Sequence, residues 1–147
     1  MDGPVGDLVT GRVKPGVYQW RTASAARGGW RGPAERAGWH AFHLDGHLIR
    51  GRDALLRHCA EAFAFPRPGD WDDLEARLAD LSWLPPARGR LLVYEAWTEL
   101  AETDPASFRA ALDVLTRTAE AWRDTVTPVV VLLPSTTTEI AGVPKLA

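Results

Sequence analysis

The sequence has a single cysteine, Cys59, among its 147 residues, and one thiol cannot form a disulfide within the chain. Such sparse use of cysteine is typical of a reducing compartment. No apolar run approaches the roughly 18 residues that a membrane span requires. The first ten residues lack the cationic segment and apolar stretch of a secretory signal. From these absences we expect a cytoplasmic protein with no membrane partner.

Lysine is almost absent, with only Lys14 and Lys145, whereas arginine is abundant and scattered along the chain. The formal net charge is −2, so no overall basic field attracts nucleic acid. A basic strip could still be formed by four arginines, but carboxylates are interleaved with them; the four are Arg67, Arg77, Arg88 and Arg90. We therefore expect no nucleic-acid partner.

The motifs that usually carry catalysis or hold a cofactor are missing as well. Neither G-x-G-x-x-G nor G-x-x-x-x-G-K-[ST] occurs, so no phosphate-binding loop is indicated. His40 and His43 fall on one strand pattern, but their odd separation places them on opposite faces. No Ser/Cys–His–Asp pattern accompanies Cys59. We therefore expect that the protein is not an enzyme and that it holds neither a cofactor nor a metal ion.

What is present is an apolar content in the ordinary range, 46% of residues, with seven tryptophans, and this suffices for one core. Apolar strand patterns alternate with helical stripes, and this order predicts parallel strands joined by crossover helices. Strands are predicted at 17–20, 39–44, 91–94 and 129–133, and helices from Asp53 and over 71–81, 95–102 and 105–122. The remaining segments, 1–16 and 21–38, are interpreted as an irregular arm and a long loop.

The predicted helix from Trp71 to Leu81 is the most informative segment. Trp71, Leu74, Leu78 and Leu81 form one apolar stripe, and Asp70 is a plausible N-cap. The opposite side is acidic, with Asp72, Asp73, Ala76, Arg77 and Asp80. This face is either an ordinary solvated helix surface or an acidic docking surface for a basic partner. The spacing alone does not decide between the two.

A resemblance to a known family adds to this picture. The run Phe65-Pro66-Arg67-Pro68-Gly69-Asp70-Trp71-Asp72-Asp73-Leu74, followed by Leu78, Asp80-Leu81 and Trp83, resembles the signature of the barstar family. Leu44-Asp45-Gly46 and Ile49 resemble the end of that family's first strand. Residues 91–95 and 128–133 resemble its second and third strands. The resemblance covers roughly residues 39–133.

The resemblance implies a barstar-like α/β fold, a small three-stranded parallel sheet packed with helices. The N-terminal extension, residues 1–38, contributes a short extra strand, and residues 134–147 form a flexible C-terminal tail. The implied function is that of a bacterial ribonuclease inhibitor, in which carboxylates of an acidic helix and its preceding loop occupy the phosphate sites of a barnase-like enzyme. We expect a protein partner, and a monomer when the chain is free.

The expected interface carries over residue by residue with several departures. Asp72 matches the family's first interface aspartate, and Asp70 stands where the family has asparagine. Ala76 stands in place of the second interface aspartate, Glu75 in place of an aromatic residue, and Arg117 in place of a glutamate of the last helix. The full expected partner-binding set is Asp70, Trp71, Asp72, Asp73, Glu75, Ala76, Asp80 and Arg117.

These departures keep a second interpretation open. An arginine facing a basic cleft is repulsive, and losing a buried interface carboxylate weakens binding. The sequence therefore predicts poor binding to ordinary barnase-type enzymes. Asp73, Glu75 and Asp80 are expected to compensate for the lost contacts when the partner has a different surface. The alternative is an immunity or regulatory protein whose partner is another toxin or protein and not a ribonuclease.

Overall fold

The computed structural model describes residues 3–22 and 28–146, and its centre is a parallel sheet of four strands. The strands are β1 (Val17–Arg21), β2 (Trp39–Asp45), β3 (Gly89–Glu95) and β4 (Val129–Ser135), in the spatial order β1-β4-β3-β2. The α/β class with a parallel sheet is thereby confirmed. The expected three-stranded sheet is wrong, because the predicted extra strand pairs with β4, Val17 beside Val131.

In the described ranges, six α-helices surround this sheet. They are α1 (Gly3–Val9), α2 (Arg31–Arg36), α3 (Arg52–Phe63), α4 (Trp71–Asp80), α5 (Thr98–Thr103) and α6 (Pro105–Trp122). The four predicted helices, α3 to α6, are confirmed to within a few residues. Asp104 caps α6 by accepting from the Ser107 N–H at 3.2 Å, and Pro105 occupies the first turn, where its missing N–H costs nothing.

The two faces of the sheet bury different side chains, because alternate residues of a strand point to opposite sides. On the first face, Phe42, Leu44, Leu92 and Tyr94 pack against α3, α4, α5 and α6. On the second face, Ala41, Leu91 and Val93 belong to a separate apolar cluster. Every residue of β3 except Glu95 is buried, as expected for a strand covered on both faces.

The second face is covered by the N-terminal extension. Val5 and Leu8 of α1, together with Trp30 and Ala34 at α2, are at most 3% exposed in the second-face cluster. The prediction of an irregular arm over 1–16 and of a loop over 21–38 is therefore wrong where these two helices form. Residues 1–2 and 23–27 of those segments lie outside the described residues. Both helices are too short to be stable alone, so they depend on packing against the sheet.

The C-terminal segment is attached to β1 at Gln19, both by its buried side chain and by its backbone, whose N–H donates to the Pro144 carbonyl at 2.9 Å and whose carbonyl accepts from the Leu146 N–H at 2.8 Å. Strand β4 continues through Ser135, and beyond it the Gln19 amide donates to the carbonyls of Ile140 and Val143 at 3.0 and 2.7 Å. Ile140 and Leu146 are buried. The predicted division into 1–38, 39–133 and a flexible tail 134–147 stays a prediction, and the structure adds that this tail contacts β1.

Candidate functional site

The start of α4 is fixed by a chain of hydrogen bonds. Asp70 accepts from the Asp73 N–H at 2.8 Å, and the Asp73 carboxylate accepts from the Gly69 N–H at 3.0 Å. From α3, Arg52 donates to the Gly69 carbonyl at 2.6 Å. The predicted N-cap is confirmed. Asp70 and Asp73 are therefore engaged in holding the end of the helix.

The loop that leads into α4 is anchored in the core at several points. Phe65 is buried and meets Trp83 edge to face, with ring centroids 6.0 Å apart. Pro68 is buried as well, whereas Arg67 projects outward and approaches Asp53 at 4.0 Å. The loop thus presents a cation where it precedes the acidic helix, and that cation has a carboxylate beside it.

The underside of α4 sets which side of the helix faces solvent. Leu74, Leu78 and Leu81 are each 1% exposed, and half-buried Trp71 packs against the same first-face cluster. Leu81 ends the helix in the left-handed conformation, with φ of 51°. The predicted apolar stripe is therefore confirmed. Trp71, expected in the interface, contributes chiefly to the core.

The outer side of α4 carries an exposed row that we call the acidic ridge: Asp72, Ala76 and Asp80, spaced four residues apart. Neither Asp72 nor Asp80 has a hydrogen-bond or ion-pair partner among residues 3–22 and 28–146. Asp73 is flanked instead by Arg77, 3.7 Å away. Two carboxylates of the ridge are thus available to a partner, and Ala76 leaves a gap between them.

Helix α6 lies beside α4 and runs in the same direction, since Arg117 Nε donates to Glu75 and Trp122 Nε1 donates to the Leu78 carbonyl at 2.9 Å. The hydrogen bond that Arg117 donates to Glu75, the charge of Glu75 and the nearby carboxylates of Asp113 and Asp72 raise the pKa of Arg117. Arg117 is therefore paired within the chain. Its partner is Glu75, a carboxylate that the sequence analysis had expected to be available to a protein partner.

The structure adds one residue that the sequence analysis missed. Asp113 of α6 lies one turn before Arg117, is exposed and contributes to the field at that arginine. Asp72 contributes to the same field from α4, so the two carboxylates lie on one surface across the two helices. The sequence did hold a signal of this residue, because Asp113 comes four residues before Arg117 on a predicted helix and side chains at that spacing are neighbours.

Groups that could support chemistry elsewhere are engaged in packing. Burial raises the pKa of the Cys59 thiol to about 12, which disfavours the thiolate that a nucleophile requires. His40 and His43 lie on opposite faces, beside Phe42 and Trp30 respectively. Within the described ranges no three His, Cys, Asp or Glu side chains are arranged to hold a metal ion, nor is any helix long and apolar enough for a membrane crossing.

The fold and this surface define a small parallel α/β protein whose distinctive polar feature is an exposed helical ridge. The model of the family described as Barstar (barnase inhibitor) matches residues 39–134, more than half of the sequence. The chain belongs to the barstar family. That family consists of inhibitors that bind protein partners, which agrees in general with the expected role.

Two further comparisons complete the picture. No curated protein matches the sequence. A chain in the solved structure of the Drosophila ORC bound to DNA aligns with 84% of this chain at 17% identity and a TM-score of 0.59. The alignment covers 33% of that chain, so this protein spans about a third of its length. At this identity the likeness shows the fold alone.

Proposed function

We propose that this protein is an inhibitor that binds the active site of a ribonuclease or related toxin through the acidic ridge and the loop before α4. The observation that supports the proposal is that Asp72 and Asp80, on the helix that the family match includes, have no hydrogen-bond or ion-pair partner within the described part of the chain. A cytoplasmic location and a monomeric free state belong to the same proposal. The lone buried thiol of Cys59 supports the location.

The physical basis is the similarity between carboxylates and RNA phosphates. A nuclease cleft presents cationic side chains to phosphates, and an exposed carboxylate on a rigid helix meets them with the same charge. Opposite charges steer the encounter and fix the register of binding. The anchored cap at Asp70 and the buried leucines beneath the helix keep the ridge in place, so little order has to be gained on binding.

The partner's surface should differ from that of an ordinary barnase-type enzyme. Ala76 offers no carboxylate at the centre of the ridge, and Glu75 is engaged by Arg117. The free charge is instead spread over Asp72, Asp80 and, on α6, Asp113. A partner with cations spaced to meet both helices fits this arrangement better. An immunity protein for a toxin that is not a ribonuclease is the second candidate, favoured by these same departures.

The test begins with the native partner. Mass spectrometry of proteins that co-purify with the full chain identifies it, and Asp72→Lys then reverses one charge of the ridge. We expect binding to weaken by about a hundredfold or more, because a carboxylate opposite a cation becomes a like charge. Asp124→Lys, in the exposed turn after α6, is the matched control and should bind as the wild type does. Equal loss in both variants would refute the role of the ridge.

A further inference from the structure

A crevice of about 390 Å³ lies where the parallel strands end, and none of its lining residues belongs to the acidic ridge. Its walls come from the segments that follow all four strands, and it is lined by six hydroxyl side chains, those of Thr22, Thr98 and residues 135–138, together with Glu95 and His47. Cavities of roughly 300–1,000 Å³ are the usual size for small-molecule sites.

The topology explains why the chain leaves a crevice here. The helix that follows β1 along the chain, α2, packs on the second face, whereas α5 and α6, which follow β3, pack on the first face. Strand β4 lies between β1 and β3. Where neighbouring connections go to opposite faces of a parallel sheet, a gap opens beyond the carboxyl ends of the strands, and ligands of such folds bind in that gap.

The walls of the crevice are held by tight contacts. A Cβ on Gly46 would lie 2.3 Å from the carbonyl oxygens of Glu95 and Ala96, so the turn after β2 packs directly on the end of β3. The Trp97 indole donates to the Pro134 carbonyl at 2.8 Å, and this bond is buried. The ends of β3 and β4 are thereby joined, and the crevice is preformed.

The lining disfavours an anion. No lysine or arginine is among the described residues that line the crevice. The backbone N–H groups of Thr137 and Thr138, which could have cradled a phosphate, both donate to Ser135 Oγ at 3.3 and 2.9 Å. The carboxylate of Glu95 repels negative charge. Among the lining residues that the structure describes, a phosphate therefore finds neither a lysine or arginine nor a free nest of amides.

The lining also disfavours a metal ion. Glu95 is the single carboxylate in the described lining, and one of its oxygens already contacts His43 Nε2 at 3.2 Å. His47, the other ionisable group, is paired with Glu99. Hard cations take six or more oxygen ligands with several carboxylates among them. What remains is a set of groups that both donate and accept, since each hydroxyl offers one proton and two lone pairs.

We propose that this crevice binds a neutral polyhydroxylated molecule of about monosaccharide size. The hydroxyls of Thr98, Thr136 and Thr137 match sugar hydroxyls as both donors and acceptors. The oxygen of Glu95 that does not contact His43 accepts from one hydroxyl of a diol, in a charge-assisted hydrogen bond. The site shares no residue with the acidic ridge or with the loop before α4.

The test is a titration of the ¹⁵N-labelled full chain with methyl α-D-glucopyranoside and D-ribose, followed by amide chemical shifts. We expect saturable shifts confined to residues 95–98 and 135–138, with dissociation constants in the millimolar range. Glu95→Gln and Thr98→Val should each weaken binding at least about tenfold, because each leaves sugar groups without a partner. Asp124→Ala, in the exposed turn after α6, is the control and should bind the sugars unchanged.

Three outcomes would overturn the proposal. The first is the absence of saturable shifts with both sugars. The second is an equal response to propan-1-ol, which would indicate apolar contact alone. The third is saturation by inorganic phosphate without saturation by the sugars, which would make the crevice an anion site. Two variants are used because Glu95→Gln also alters the contact with His43; the native shift dispersion of each variant shows that it is folded.

Discussion

Arg117 on α6 donates a hydrogen bond to Glu75 on α4 and so neutralises a carboxylate of its own chain. The resemblance to the family places this arginine where a glutamate is expected, so a repulsive contact with a basic partner was predicted from the sequence. The structure shows that the positive charge is met internally. For the proposed interface, the consequence is that Glu75 is no longer a free carboxylate, and this matters more than the positive charge of Arg117.

Removing this arginine should strengthen an acidic surface. In Arg117→Ala, Glu75 loses its partner and becomes available, so we expect association with the native partner to accelerate about threefold or more at low ionic strength. Stopped-flow rates at low and high salt measure the effect, which salt should diminish. Arg57→Ala removes the same charge from the exposed side of α3 and should change the rate less. Equal acceleration in both variants would mean that the change in net charge, and not the release of Glu75, sets the association rate.

The two neighbouring aspartates of α4 should separate stability from binding. Asp70 caps the helix, so Asp70→Ala is expected to lower the free energy of unfolding by about 1 kcal/mol. Asp72 is exposed and has no partner among the described residues, so Asp72→Ala should leave stability nearly unchanged while it weakens binding. Urea denaturation and calorimetric titration measure the two quantities. A large stability loss in Asp72→Ala would contradict the assignment of this residue to an interface.

The gap in the ridge can be filled by one substitution. Ala76 is exposed and lies one turn after Asp72, where the family has its second interface aspartate. Ala76→Asp should therefore raise the affinity for a barnase-type ribonuclease by about tenfold or more, since one good charge contact is worth roughly 1.4 kcal/mol or more. Inhibition of RNA cleavage measures it, with Ala76→Asn as the uncharged control. Nanomolar inhibition by the wild type would show that the predicted weak binding is wrong.

The extension should be part of the folded core. Leu8 is 3% exposed beneath the sheet, and truncating a buried leucine costs about 2–5 kcal/mol. Leu8→Ala should therefore lower the free energy of unfolding by that order, as measured by urea denaturation. Val126, at 93% exposed, is the control, and Val126→Ala should stay within about 0.5 kcal/mol of the wild type. If Leu8→Ala lowered the free energy of unfolding no more than Val126→Ala does, α1 would be shown to detach readily from the sheet.

The elements predicted correctly are those whose own residues carry a full pattern. Helix α4 has four apolar residues on one stripe and a cap at Asp70, and α6 begins at Asp104-Pro105. The missed elements carry only fragments of a pattern. Helix α1 has Val5 and Leu8 alone, and α2 buries only Ala34. Their helical structure depends on contacts with the distant sheet, which local periodicity does not record.

The candidate site likewise has some features that the sequence predicts and others that it does not. The exposed positions of Asp72, Ala76 and Asp80 follow from the period of one helix, so the sequence alone places them on one face. The pairing of Glu75 with Arg117 depends on how α4 and α6 lie against each other, and residues 42 positions apart carry no local signal of it. The crevice at the strand ends depends on strand order, which the strand patterns left undetermined.

Hydrogen–deuterium exchange of the full chain, alone and bound to its co-purified partner, maps the surface that the partner covers. We expect slower exchange in the complex over residues 66–81 and around Asp113. Unchanged exchange over those residues, together with protection of another surface, would contradict this expectation.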